Sequence, residues 1–240
     1  MSDDYDGIVI PRRTMTLFFI VDTSGSMFGE KIGAVNTAIR EVIPEIRDMP
    51  ENADAVIKIA VLDFSSGARW ITPEPVEASL YQWRDVDAAG ATDFGDACIK
   101  LKEQLSVSKG FMAEATGSYA PVLFLLSDGA PTDNWQKGLD ELKNNNWYKA
   151  SIKVAIAIGN DANEPENKAV LEAFTGNSEM VLEVHNAAAL IKMIRFVSVS
   201  AAKVASGSDN AQTKQEAAVQ VVKEIKEEVA ASVNNSDPEW

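Results

Sequence analysis

Four segments of the chain are apolar almost without interruption: MTLFFIV at 15–21, VIKIAVLDF at 56–64, PVLFLLSD at 121–128 and IKVAIAIG at 152–159. A strand with one wet face alternates apolar and polar residues, whereas a strand covered on both faces need not. These runs therefore predict interior strands of a parallel sheet. Between them, apolar positions recur at helical spacing over about 30–47, 94–106, 133–147 and 163–173. ARWIT at 68–72 follows the turn-forming SSG and predicts a short hairpin strand at a sheet edge. MVLEV at 180–184 predicts a last strand, and AALIKMIRFVSV at 188–199 a last helix. This alternation is the pattern of a doubly wound α/β sheet. Such sheets bind ligands beyond the carboxyl ends of their strands, where the strand order reverses. Asp22 follows directly on the first strand and so falls at that place.

The pattern changes near residue 203. ASGSDN at 205–210 reads as a linker, and 213–233 as a helix with Ala218, Val221, Val222, Ile225 and Val229 on one face and lysines and glutamates on the other. That face either packs on its own domain or docks a partner. The expected division is a tail at 1–11, a domain at 12–202, and at 203–240 the linker, the helix and a disordered terminus, NNSDPEW.

Composition narrows the function classes. Of 240 residues, 22 are basic and 36 acidic, giving a net charge of −14. Binding to nucleic acid or to an anionic membrane is therefore not expected. The one cysteine, Cys98 in DFGDACIKLKEQL, rules out an internal disulfide and a Cys-rich zinc site, and is expected as a buried, inert thiol. MSDDYDG is the opposite of a secretory signal, and LFFIV and VLFLL are too short to span a bilayer. A cytoplasmic protein is the expectation. His185 is the only histidine, so zinc catalysis and Ser-His-Asp hydrolysis have almost no support.

Three segments bring oxygen ligands to strand ends or helix starts: Asp22-Thr23-Ser24-Gly25-Ser26, Gly90-Ala91-Thr92-Asp93 and Ser127-Asp128-Gly129. Taken singly, each has a structural explanation. Ser24 or Asp22 can cap a helix, Thr92 or Asp93 can cap the one beginning near Phe94, and Asp128-Gly129 is a common turn pair. Taken together, carboxylates and hydroxyls at one end of a sheet suit a hard divalent cation such as Mg²⁺.

DTSGS, the later GAT and the later LLSDG resemble, in order and separation, the metal-ion-dependent adhesion site of von Willebrand factor type A domains, over roughly residues 12–202. The resemblance implies a Rossmann-like, mostly parallel central sheet with helices on both faces and the metal at its upper face. Ala91 stands where the family usually has a second glycine. By position, Ser24 and Ser26 would bind the metal through their hydroxyls and Thr92 directly or through a water. Asp22 and Asp128 would act through waters and hydrogen bonds to the serines. Mg²⁺ is the implied ion, with Mn²⁺ or Ca²⁺ as alternatives, and the last coordination position is left for a carboxylate from a partner protein. SGSMFGEKIGAVN at 24–36 and DGAPTDNW at 128–135 further resemble the bacterial tellurium-resistance type, thought to be non-catalytic cytoplasmic adaptors in stress or phosphorylation-linked assemblies.

Trp135 and Asp93 are expected contributors to the partner surface, and the helix at 213–233 is a second docking element in this reading. Asp63 reads as a turn acid, and Glu74, Glu77 and Asp161 as solvated loop charges. Two other functions compete. One is a Mg²⁺-dependent phosphatase or phosphotransferase with Asp22 as nucleophile, against which Ser24 stands where such enzymes carry a second aspartate. The other is a structural subunit whose metal site is vestigial or merely stabilising.

Overall fold

A computed structural model describes residues 12–48, 55–113, 117–195 and 211–232. The expected tail at 1–11, linker at 205–210 and terminus at 234–240 lie outside the described residues. In chain order the elements are β1 (Arg13–Asp22), α1 (Glu30–Arg47), β2 (Ala55–Ser65), β3 (Gly67–Trp70), β4 (Val76–Glu77), α2 (Phe94–Gln104) and β5 (Val122–Ser127). There follow α3 (Trp135–Lys143), α4 (Asn146–Ala150), β6 (Ile152–Ile158), α5 (Pro165–Thr175), β7 (Val181–Val184), a helix α6 described over 187–195, and α7 (Ala211–Ser232).

The strands form one seven-stranded sheet in the order β3-β2-β1-β5-β6-β7, with β4 also paired to β2. β1 runs parallel to both β2 and β5, and β6 and β7 continue the parallel set. β3 pairs antiparallel with β2, as the hairpin reading of ARWIT requires, and β4 pairs antiparallel with β2 as well. The chain leaves β1 toward β2 on one side and reaches β5 on the other, so the order reverses between β1 and β5.

The unbroken apolar runs serve two cores at once. Leu17, Phe19 and Val21 of β1 face a core shared with Val35, Ile39 and Val42 of α1 and Leu190 and Ile194 of α6. Phe18 and Ile20 face the other core, with Leu101 of α2, Leu142 of α3 and Phe174 of α5. Successive strand side chains point to opposite faces, so only a strand needed on both sides loses its alternation. The face of α7 packs on its own domain: Ala218, Val222 and Ile225 are buried in the α1 core. Lys223 pairs with Glu179 at 2.9 Å and the Lys226 ammonium donates to the Glu179 carbonyl at 3.0 Å. No helix among the described residues is long and apolar enough to cross a membrane.

Two expectations need correction. The single helix at 133–147 is two helices, because Asn145 offers its side chain to the backbone: Oδ1 accepts from the N–H groups of Trp147 and Tyr148 at 2.8 and 3.1 Å, starting α4 afresh. Its Nδ2 donates to the Leu105 carbonyl at 2.8 Å, which pins the break to the end of α2. Glu77, expected as a loop charge, lies exposed in the two-residue strand β4, which had no periodicity to announce it.

α2 and α3 meet glycine against glycine. A Cβ built on Gly138 would lie 2.2 Å from the Gly95 carbonyl oxygen. Gly138→Ala should therefore force the two helices apart and destabilise the protein by about 1–3 kcal/mol, the cost of overpacking a tight contact, as read by urea unfolding.

Candidate metal centre

Asp22 closes β1 beside the last residue of β5, at the reversal of strand order, and none of it is exposed. Its Oδ1 accepts from the Ser24 N–H at 2.9 Å and its Oδ2 from the Ser127 hydroxyl at 2.6 Å. The Ser127 oxygen in turn accepts from the Gly129 N–H at 2.9 Å. One carboxylate thus fastens both loops that leave the centre of the sheet. Burial raises the Asp22 pKa to about 6; the hydrogen bonds from Ser127 and Ser24 oppose this rise, and the Asp128 charge adds to it.

The three segments singled out in the sequence come together. After Asp22 the chain makes a 3-10 turn, Gly25–Met27, which sets the hydroxyl oxygens of Ser24 and Ser26 3.0 Å apart. The Gly25 N–H donates to the Gly90 carbonyl at 3.0 Å and the Ala89 N–H to the Thr23 carbonyl at 2.8 Å. Gly90 has φ +88°, and a Cβ there would lie 2.7 Å from the Ser66 hydroxyl, so this turn asks for glycine. Ala91, by contrast, stands in a place where a side chain is tolerated.

Thr92 is buried, and the loop after β5 holds it in place. Its N–H donates to the Thr132 hydroxyl at 3.0 Å, and its carbonyl accepts from the Thr132 N–H at 2.9 Å. Neither Thr92 nor Asp93 caps α2 with its side chain. Asp133 does so from another element, accepting from the N–H groups of Gly95 and Asp96 at 3.1 and 3.2 Å. Asp93 turns to the β2–β3 hairpin and accepts from the Gly67 N–H at 2.7 Å. Trp135 opens α3 half-buried against the α2 core, and Asn134 is the residue whose side chain caps that helix.

Asp128 is wholly buried. Its Oδ2 accepts from the Lys31 ammonium at 3.3 Å, while its Oδ1 is buried with no hydrogen-bond partner. A buried carboxylate oxygen without a donor is an exception that calls for an ion or a water. No three His, Cys, Asp or Glu side chains converge among the described residues. The oxygen set here is two carboxylates and three hydroxyls, which fits a hard cation that keeps part of its hydration. The fit rests on an oxygen that the protein itself leaves unsatisfied.

Several contributors escaped the sequence reading. Thr132 and Asp133, inside DGAPTDNW, organise the Thr92 loop from a distance that no spacing rule covers. Lys31 and Asp161 joined the site, the latter expected only as a solvated loop charge; it is exposed, yet it accepts from Lys31 at 3.1 Å. Asp63 is a buried β2 residue in a two-point bridge to Arg69, at 3.0 and 2.9 Å, rather than a turn acid. Phe28 is 77% exposed two residues beyond Ser26, and an aromatic residue in so short a loop was a signal available in the sequence. Cys98 is buried, and burial pushes its thiol pKa well up, so it is inert as expected.

No family model matches the chain. It is 25% identical over 135 residues to inter-alpha-trypsin inhibitor heavy chain H1 of Bos taurus, a match covering 56% of this chain and 15% of that protein. Among solved structures it resembles a von Willebrand factor type A protein from Catenulispora acidiphila, with TM-score 0.56 and 18% identity over 80% of this chain and 43% of that one. It also resembles proximal thread matrix protein 1 of the mussel byssus, solved with zinc occupying its MIDAS motif. There the TM-score is 0.52 and the identity 16%, over 77% of this chain and 48% of that one. The chain thus spans less than half the length of each of these proteins. Its fold is that of the von Willebrand factor type A domain.

Proposed function

We propose that the chain is a non-catalytic protein–protein interaction module whose binding depends on a divalent cation, Mg²⁺ first, with Mn²⁺ or Ca²⁺ as alternatives. In this reading Ser24, Ser26 and Thr92 supply hydroxyl oxygens, and Asp22 and Asp128 act chiefly through hydrogen bonds and bound water. A carboxylate of the partner completes the coordination. The observation that carries the reading is the buried, donorless Oδ1 of Asp128. The byssus protein with zinc in its MIDAS motif supports a divalent ion in a site of this kind.

The phosphatase alternative fares worse on geometry. Asp22 is fully buried, and both its oxygens already accept hydrogen bonds, from the Ser24 N–H and the Ser127 hydroxyl. A nucleophile needs an accessible oxygen in line with its phosphate. The setting we propose is a bacterial cytoplasmic stress-response or tellurium-resistance assembly, on the resemblance of segments 24–36 and 128–135. Of the two residues expected at the partner surface, Asp93 is engaged by the hairpin and Trp135 leans on the core. Phe28 is the better contact, since an exposed aromatic beside a metal offers a partner both charge and apolar area.

Ser24→Ala with Ser26→Ala should abolish Mg²⁺ binding by calorimetry. It should also abolish the Mg²⁺-dependent, EDTA-sensitive capture of a partner from lysate of the source organism. Capture that survives both changes would sink the proposal. Phe28→Ser should leave Mg²⁺ affinity within about twofold of wild type and weaken the captured partner by about tenfold or more, the scale of an interface anchor.

The ion also governs how stability depends on pH. In EDTA, Asp22 has its pKa raised from 3.8 to about 6, so it binds its proton more tightly folded than unfolded. The resulting stabilisation is fully present below pH 4 and is lost as pH rises through 6. Asp22→Asn lacks this titration. In urea unfolding with EDTA, the variant should therefore gain on wild type by on the order of 3 kcal/mol between pH 4 and pH 7.5. Mg²⁺ should narrow the difference at pH 7.5 by stabilising wild type alone.

A further inference from the structure

Lys31 stands in the first turn of α1, with its side chain 11% exposed. Its ammonium lies between two carboxylates, 3.3 Å from Asp128 Oδ2 and 3.1 Å from Asp161 Oδ2. Asp161 sits in the 3-10 turn Asn160–Asn163 that follows β6, and its side chain is 72% exposed. The route of the lysine is kept open by Gly159. A Cβ on Gly159 would lie 2.7 Å from Lys31 Cε, and the residue's φ of +82° suits glycine. The chain therefore brings a fixed positive charge into contact with a carboxylate that the metal reading assigns to the cation.

We propose that Lys31 is a built-in counter-charge of the metal centre, which lowers its affinity for the cation and raises its demand for an anionic ligand. The inference rests on the metal reading above. With Asp22 and Asp128 ionised, a divalent cation alone would leave the cluster neutral and content with water in its open position. Lys31 brings the buried groups, Asp22, Asp128, the cation and Lys31 itself, to one net positive charge where charge is poorly screened, with the exposed Asp161 offsetting it only from the solvent side. A carboxylate cancels that charge; a neutral donor does not. Asp161 tempers the effect, because it shares the ammonium and draws it toward solvent. Lys31 is thus a specificity-determining residue that acts through Asp128.

The test uses the full chain, Mn²⁺ as the ion and acetate as the carboxylate. Mn²⁺ affinity is measured by electron paramagnetic resonance. Acetate binding is read from the loss of water-proton relaxation as acetate displaces metal-bound water. Lys31→Met should bind Mn²⁺ at least about tenfold more tightly, as removal of a nearby unit charge in a weakly screened site demands. It should also need several-fold more acetate for half-displacement. Asp161→Asn should shift Mn²⁺ affinity the opposite way, since the ammonium is then left to Asp128 alone; loss of fold cannot produce opposite shifts. A Lys31→Met affinity that is unchanged or weaker, an unchanged acetate midpoint, or two variants that shift together would each overturn the inference and leave the metal reading standing. A wild-type chain that binds no Mn²⁺ would overturn both.

Discussion

The structure depends on one buried carboxylate. Asp22 has no exposed surface, and each of its oxygens holds a different loop: one the Ser24 N–H, the other the Ser127 hydroxyl. A carboxylate in such a place is costly unless its oxygens are bonded or neutralised. Its position follows from the sheet register, which pairs Val21 with Leu126 and so puts Asp22 beside Ser127. The register is fixed by the two cores. A slip of one residue would send Phe18 and Ile20 into the space of Leu17, Phe19 and Val21, exchanging every side chain between the faces. The apolar run and the polar site it ends in are therefore one constraint, with the run deciding where the carboxylate stands.

That constraint explains which parts of the molecule were legible in the sequence. Runs without alternation gave the interior strands, and helical periodicity gave α1 over the residues it occupies, because in both cases burial dictates the pattern. The oxygen residues were legible because they sit at the strand ends and the helix start that those patterns define. What escaped was decided by contacts between distant segments. Asp133 caps α2 from 37 and 38 residues away, and Asn145 divides a helix because its amide also reaches Leu105. Asp63 looked like a turn acid, since nothing local reveals that Arg69 will fold back on it across the hairpin. Periodicity reports burial but not the partners of polar groups.

The choice of donors also has a physical logic. A site of four or five carboxylates would neutralise a divalent cation and hold it tightly, with little left to attract a further anion. In the proposed site hydroxyls stand in place of carboxylates at Ser24, Ser26 and Thr92, and a hydroxyl that coordinates a cation does so without cancelling its charge. Both aspartates are buried: the oxygens of Asp22 hold the Ser24 N–H and the Ser127 hydroxyl, while Asp128 gives Oδ2 to Lys31 and keeps Oδ1 without a protein donor. Lys31 continues in the same direction by offsetting part of Asp128.

A loaded centre of the proposed kind would attract carboxylates in general, so discrimination between partners would fall to its rim. The loops that carry the oxygens are stitched to one another through main-chain groups: Gly25 to Gly90, Thr23 to Ala89, Thr92 to Thr132. Interactions of this kind fix geometry whatever the side chains, and they leave the surface residues free to vary. Phe28 is exposed on one of these loops, and Asp161 on the neighbouring turn after β6, where it reaches the oxygen set through the Lys31 ammonium. On the proposed reading, a rigid, positively charged centre would supply affinity for an acidic group, and the exposed rim would decide which protein presents it.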